Sequence, residues 1–496
     1  MDLTAQTEYG AVRGVPGDDV SVFEGIPYAA PLDGERRFQA PVPPQRWEDT
    51  RNATAYSAAP PQSTLMPGMP SSWCPGDSTD CLSVNVWTPD PGGSGLPVLV
   101  WIYGGAFVIG SSSEPVYDGA NLARGGVVVV TMNYRVGYEG FGWLPDAPAN
   151  RGFLDQIAAL RWVQANIAGF GGDPGNVTLF GESAGATAVA TLVAARAARG
   201  LFRRAIAQSF AGRFFREEEA RRIGERITGE LGVPATAEAL AEVPPEAIHE
   251  VQNAPLRRSG EAASSVPEGI TPYSPVLDEL IPEPPWQAMR KGAGRDVDLV
   301  CGYNQDEYRL FTLGAGRLGR DPAAVAAAVG LDPAALADYR AARPGISDSD
   351  LYTLLFSDSI FRMPSTWCAD AHAEAGGSTY LYELTWASPA FEGLLGACHA
   401  LDVPLTFGNF DSPLGRLVLG DSPPADAEYL SKEIRKAWTS FATTGDPGWP
   451  AYRPGEALTR IWDLPVEVAA DPEAASRRIW ERHFPWNNGH TREPGR

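Results

Sequence analysis

Short apolar runs alternate with longer stretches of helical spacing along most of this chain, and that alternation constrains its fold more than any other feature. Pro97 to Tyr103 and Val127 to Asn133 are continuous apolar runs of strand length. Between Phe153 and Ile167 the apolar residues Phe153, Ile157, Leu160, Val163 and Ile167 fall on one helical face. Asn176 to Phe180 predicts another strand, and Ala184 to Ala198 an Ala-rich helix closed at Gly200. Arg203 to Ser209, Asp296 to Tyr303 and Ser378 to Leu384 continue the series. Strand–helix alternation of this kind makes a mainly parallel twisted sheet with helices on both faces. The expected class is therefore α/β.

Length and charge narrow the function. At ~150 residues per domain the length of 496 suggests about three domains. No shift of composition marks a linker, however, so one domain over residues 1–496 is expected. The regions 211–275 and 314–375 would be insertions over one end of the sheet. The net charge of −21 opposes nucleic acid and anionic membrane surfaces as partners. No apolar window is long enough for a membrane span, and the first residues do not read as a secretory leader, so a soluble cytoplasmic protein is expected. Five cysteines are too few for a disulfide scaffold. Cys74 and Cys81 are close enough in sequence to pair, but nothing else suggests an oxidising compartment.

Gly181-Glu182-Ser183-Ala184-Gly185 is the first candidate for chemistry. It fits Gly-x-Ser-x-Gly, in which a serine sits on a strained turn between strand and helix. Glycines two residues to either side remove side chains that would collide. Chance alone supplies about 0.3 copies of that string in such a chain, so its place between a strand and a helix carries the weight. A serine nucleophile needs a base. His483 and His490 lie in the polar end of the chain, His249 in an irregular insertion, and His372 in the helix expected over Phe361 to Ala375. His399 lies on a loop soon after the strand Ser378 to Leu384, where a base belongs. An acid should follow a strand between Ser183 and His399, and both Asp306 and Glu307 qualify. Tyr103-Gly104-Gly105-Ala106-Phe107 follows a strand and offers uncovered backbone N–H groups. With the N–H of Ala184 it could hold an oxyanion.

The chain resembles the type-B carboxylesterases of the cholinesterase-like α/β-hydrolase superfamily. Phe23-Glu-Gly-Ile-Pro-Tyr28, Asp80-Cys-Leu82, Trp101-Ile-Tyr-Gly-Gly-Ala-Phe107 and Asn133-Tyr-Arg135 carry the likeness in the first third. Phe170-Gly-Gly-Asp-Pro174, the serine pentapeptide, Asp306-Glu307, His399 and Phe441 through Trp449-Pro450 extend it along essentially the whole chain. The resemblance implies an α/β-hydrolase fold with helical insertions over the active site. It implies Ser183 as nucleophile, Glu307 as acid, His399 as base, and Gly105, Ala106 and Ala184 as oxyanion donors. Glu182 and Asp402 match supporting acidic positions. The implied activity is hydrolysis of small to medium carboxylic esters through an acyl-enzyme, with no cofactor and no metal.

The chain departs from the family pattern at three places. Tyr308 and Phe210 stand where relatives usually have glycine, so each could shape the pocket or simply pack. Thr79 replaces an acidic residue that usually pairs with Arg36 or Arg37. A reshaped pocket keeps open an acyltransferase or lactone-processing enzyme with the same triad. A non-catalytic interaction protein is the rival from another class, opposed by the intact triad. Gly314-Ala-Gly-Arg-Leu-Gly319 fits a dinucleotide string but sits in an insertion, which argues against a nucleotide site. Trp73 sits near a loop where cholinesterases carry a cation-binding tryptophan, and a packing role is expected for it.

Overall fold

The structure is a computed structural model and describes residues 3–64, 71–259, 273–312 and 321–484, with 253–259 as backbone only. The Gly314 to Gly319 string and His490 lie outside the described residues. A ten-stranded sheet forms the centre. Its strands are β1 (Ser21–Pro27), β2 (Ser83–Thr88), β3 (Leu96–Ile102), β4 (Val128–Met132) and β5 (Gly172–Glu182). They continue with β6 (Arg204–Gln208), β7 (Asp298–Asn304), β8 (Thr379–Leu384), β9 (Leu458–Trp462) and β10 (Glu467–Ala470). The spatial order is β10-β9-β8-β7-β6-β5-β3-β4-β2-β1. Strands β3 to β9 run parallel, and the antiparallel pairs lie at the two edges.

Every residue of β4 and β6 is buried, which explains the apolar run of β4 and the Ala205-Ile206-Ala207 centre of β6, whose ends are the buried polar residues Arg204 and Gln208. β2 has no such signature. Its Asn85 is fully buried, yet it accepts from Gly25 N at 2.8 Å and donates to Ser112 and Thr131. A polar residue satisfied in this way can occupy a core strand. β1 is interrupted by an irregularity between Phe23 and Ile26.

The helices Arg151–Asn166 (α1), Ala184–Ala194 (α2), Met363–Glu374 (α3) and Ala425–Thr444 (α4) pack against the sheet. The chain leaves β3 toward β4 on one side and then crosses to β5 on the other. This reversal opens a crevice at the carboxyl ends of β3 and β5, where α/β proteins bind their ligands. Region 211–275 contributes the helices Glu217–Leu231, Ala237–Ala241 and Pro245–Ser259. Region 314–375 contributes Pro322–Ala328, Ala335–Ala342 and Asp348–Ser357, and it ends in α3, which packs on β7 and β8 rather than over the end of the sheet. A separate apolar cluster is built on Tyr308, Tyr339, Leu351, Leu355, Phe356 and Phe361. The helix Ala474–His483 closes that cluster with Ile479 and Trp480.

Candidate active site

Ser183 sits between the end of β5 and the start of α2 with φ 59° and ψ −122°. A left-handed φ on a non-glycine residue costs on the order of 1–3 kcal/mol and persists only where the surroundings impose it. Here Ser183 N donates to Gln208 O of β6 at 2.9 Å, and Ser183 O accepts from Thr187 N at 2.9 Å. The flanking glycines are required by β3. A Cβ on Gly181 would lie 2.7 Å from Ile102 O, and one on Gly185 would overlap the same oxygen. The turn is thus wedged against the neighbouring strand, and the serine side chain stays partly exposed.

His399 and Glu307 arrive from the ends of β8 and β7. His399 Nε2 lies 2.8 Å from Ser183 Oγ, and His399 Nδ1 lies 2.5 Å from Glu307 Oε2. Glu307 Oε1 accepts from Asn304 N at 2.8 Å, and its backbone oxygen accepts from His399 N at 3.2 Å. Asp306 turns away, accepting from Ala397 N at 3.1 Å and pairing with Arg309. Of the two adjacent candidates, then, the geometry brings Glu307 to the imidazole. The other described histidines are engaged elsewhere. His249 lies edge-on to Trp73, His372 contacts Thr379, and His483 contacts Asp338.

Two more carboxyl groups converge on this point. Glu182 Oε1 lies 3.0 Å from His399 Nε2 but not at a hydrogen-bonding angle, so this is a charge contact. Asp402 accepts from Gln208 Nε2 at 2.8 Å and from Tyr382 OH at 3.1 Å. Burial pushes the Glu182 carboxyl up to about 8, against the pull of His399, with Asp402 and Glu307 adding to the rise. Burial also pushes Asp402 upward, and its hydrogen bond from Gln208 opposes that. Burial alone would lower His399. Glu182 first, then Glu307 and Asp402, outweigh it and raise the imidazole to about 9. Burial thus favours the neutral carboxyl at Glu182 and at Asp402, while the carboxylates around His399 favour the charged imidazole.

Gly105, Ala106 and Phe107 all have left-handed φ, at 100°, 59° and 60°. Strain at a non-glycine such as Ala106 marks a loop shaped for something other than stability. The loop is fixed by Tyr134 OH donating to Tyr103 O at 2.7 Å and by Gly137 N donating to Phe107 O at 2.6 Å. The N–H groups of Gly105, Ala106 and Ala184 donate to no acceptor among the described residues. Gly104 closes the approach, since a Cβ there would lie 3.1 Å from Ser183 Cβ.

Phe210 is fully buried, with its ring 5.9 Å from Trp286 and 6.5 Å from Phe214. Tyr308 stacks on Phe356 at 4.3 Å. Trp73 is buried. Arg37, without an acidic partner at position 79, pairs with Glu139 at 2.6 Å. Cys74 is exposed, Cys81 is buried, and the two are not bonded. Among the described residues no cluster of His, Cys, Asp or Glu is arranged to hold a metal, and no helix is long and apolar enough to cross a membrane. Sequence reasoning missed the aromatic walls of the histidine: Phe361 lies 4.5 Å and Phe311 5.3 Å from its ring.

Comparison with known proteins decides the family, because the model described as "Carboxylesterase family" matches residues 1–317 and 340–464. The chain belongs to the carboxylesterase family. Among relatives in that family, the para-nitrobenzyl esterase of Bacillus subtilis (strain 168) is 37% identical over 95% of this chain and 97% of its own length. Liver carboxylesterase 1 of Oryctolagus cuniculus is 32% identical over 89% of this chain and 85% of its own. A solved PNB esterase superposes with a TM-score of 0.85 at 35% identity, covering 97% of this chain and 99% of that one. The carboxylesterase of Geobacillus stearothermophilus gives 0.84 at 35% identity, over 96% and 99% of the two chains. The carboxylesterase fold is the α/β-hydrolase fold, and ester hydrolysis is the reaction this family membership carries.

Proposed function

We propose that this carboxylesterase cleaves small to medium carboxylic esters through an acyl-enzyme on Ser183, with His399 as general base and acid and Glu307 as the orienting acid. The observation that carries the reading is the unbroken line from Ser183 Oγ through both nitrogens of one imidazole to Glu307, at 2.8 and 2.5 Å. His399 Nε2 accepts the serine proton as Oγ attacks the ester carbonyl. The developing oxyanion takes hydrogen bonds from the N–H groups of Gly105, Ala106 and Ala184. Each such donor is worth about 3–4 kcal/mol at the transition state. The imidazolium then gives its proton to the departing alcohol, and a water activated by the same Nε2 releases the acid. Glu307 keeps Nδ1 protonated, so that Nε2 is the free base, and offsets the imidazolium charge.

The strained serine needs no closing motion, because neighbouring strands already hold it in the attacking posture. The five cysteines, none of them disulfide-bonded, support a reducing, cytoplasmic setting. The test is Ser183→Ala. It should keep the fold, as seen by circular dichroism and melting, and lose nearly all esterase turnover. More than about one per cent of wild-type kcat/KM in the purified variant would end the proposal.

A further inference from the structure

Between the helix Asp348–Ser357 and α3 the backbone widens into a π turn over Asp358–Arg362. The cause is in the sequence. Pro364 has no N–H, and its ring presses on the carbonyl four residues earlier, that of Ile360. That carbonyl is freed from the helix and accepts from Gly212 N at 3.0 Å. Gly212 has no room for a side chain, since a Cβ there would overlap the Pro364 ring. Single π turns of this kind recur at functional sites.

This turn and the last residue of the helix before it grip the loop that carries the acid. Ser357 Oγ accepts from Tyr308 N at 3.0 Å, and Arg362 Nη2 donates to Gln305 O at 2.6 Å. These bonds fall one residue after Glu307 and two residues before it. From the same turn Phe361 reaches His399. Arg362 is itself held. Its Nη1 pairs with Asp358, which accepts from Tyr339 OH at 2.5 Å, and Tyr339 OH accepts from Trp480 Nε1 at 2.7 Å. Arg362 and Asp358 are 1% and 0% exposed. Burying two ions costs several kcal/mol each, and a buried pair is often no more stabilising than apolar packing. A planar fork that binds a carboxylate with one nitrogen and a carbonyl with another is a geometric device, and lysine cannot reproduce it.

We propose that the π turn is the positioning element of the catalytic acid: Arg362 and Ser357 clamp the Gln305–Tyr308 loop so that Glu307 meets His399, while Asp358, Tyr339 and Trp480 fix Arg362. The inference rests on the triad reading given above.

Arg362→Lys and Ser357→Ala test it, with Arg343→Lys as control. Arg343 pairs with Glu473 at 2.8 Å where the same insertion meets the last helix. Misplacing a catalytic group by an ångström costs up to ~100-fold, so Arg362→Lys should lower kcat about ten-fold or more and Ser357→Ala about three-fold, with KM little changed. In both variants the acid limb of kcat/KM should move to lower pH, because a looser Glu307 supports the imidazolium less. Arg343→Lys should lower the melting temperature at most and leave kcat and the acid limb as in wild type. Wild-type kcat and acid limb in a folded Arg362→Lys and in Ser357→Ala would overturn the inference. So would an equal shift of the limb in Arg343→Lys. Should Arg362→Lys not fold, Ser357→Ala decides alone. Glu307→Gln, measured alongside, separates the two levels. If it stays active, the triad reading fails. If it is inactive while Arg362→Lys and Ser357→Ala behave as wild type, only the positioning inference fails.

Discussion

Replacing Glu182 by Gln keeps the shape of the side chain and removes its charge, and the consequence for the base can be worked out. His399 rises from its ordinary 6.5 to about 9, a rise of about 2.5. Nearby carboxylates push it up against burial, the Glu182 charge first, then Glu307 and Asp402. Glu182 Oε1 lies 3.0 Å from His399 Nε2. An opposite charge that close typically moves a titrating group by about one pH unit or more, so removing it should lower the imidazole by roughly that much. His399 must be neutral to accept the serine proton, so activity is present above its pKa and lost below it. The acid limb of kcat/KM in the free enzyme should move to lower pH in Glu182→Gln, and the variant should outperform wild type, relative to its own plateau, below pH 7. The assay is initial-rate hydrolysis of a neutral aryl ester from pH 5 to 10. A limb that stays in place or moves upward would refute the assignment of Glu182 as the main electrostatic support of the base.

Glu307→Gln should leave the geometry in place but favour the wrong imidazole tautomer, lowering kcat on the order of 10³–10⁴-fold, whereas Asp306→Asn should stay within about ten-fold of wild type; steady-state kinetics on both variants settle which neighbour is the acid. Gly105→Ala places a side chain on a residue with φ 100° and into the Ile109 carbonyl. It should cost about 10²-fold or more in kcat, and an unchanged kcat in the folded variant would remove that loop from the oxyanion site. Phe210→Ala should cost about 3–5 kcal/mol of stability, read as a lower melting temperature, with the ratio of kcat/KM for long and short acyl esters unchanged. A changed ratio would make Phe210 a pocket wall instead.

The sequence was most informative where burial or sterics leave no choice. Strands β3 to β8 were legible because both faces of their central residues are covered, and those residues are mostly apolar. β1 and β2 gave no such signal from periodicity. Asn85 is a core residue that hydrogen bonds make tolerable, and β1 breaks its own pattern near Gly25. Ser183 was legible through its two glycines, although what excludes their side chains is the Ile102 carbonyl of a neighbouring strand. The choice between Asp306 and Glu307 depends on which way a turn faces after β7, and two adjacent acids carry no local signal for that. Phe361, Arg362 and Ser357 were missed because they lie far along the chain from the motifs. The one available clue was Pro364 inside a helical pattern, read only as part of the expected helix Phe361 to Ala375. The roles of Phe210 and Tyr308 turn on packing partners such as Trp286 and Phe356, and these are brought together only by the tertiary fold.

The central claim is a covalent acyl group on one particular serine. An aryl ester mixed with a stoichiometric amount of enzyme, quenched in acid within the first turnover and analysed by peptide mass spectrometry, tests it most directly. The account predicts a mass gain equal to the acyl group on the peptide carrying Ser183, decaying at the rate of turnover and absent from Ser183→Ala. An acyl group on any other residue, or full turnover with no acylated peptide at any quench time, would contradict it.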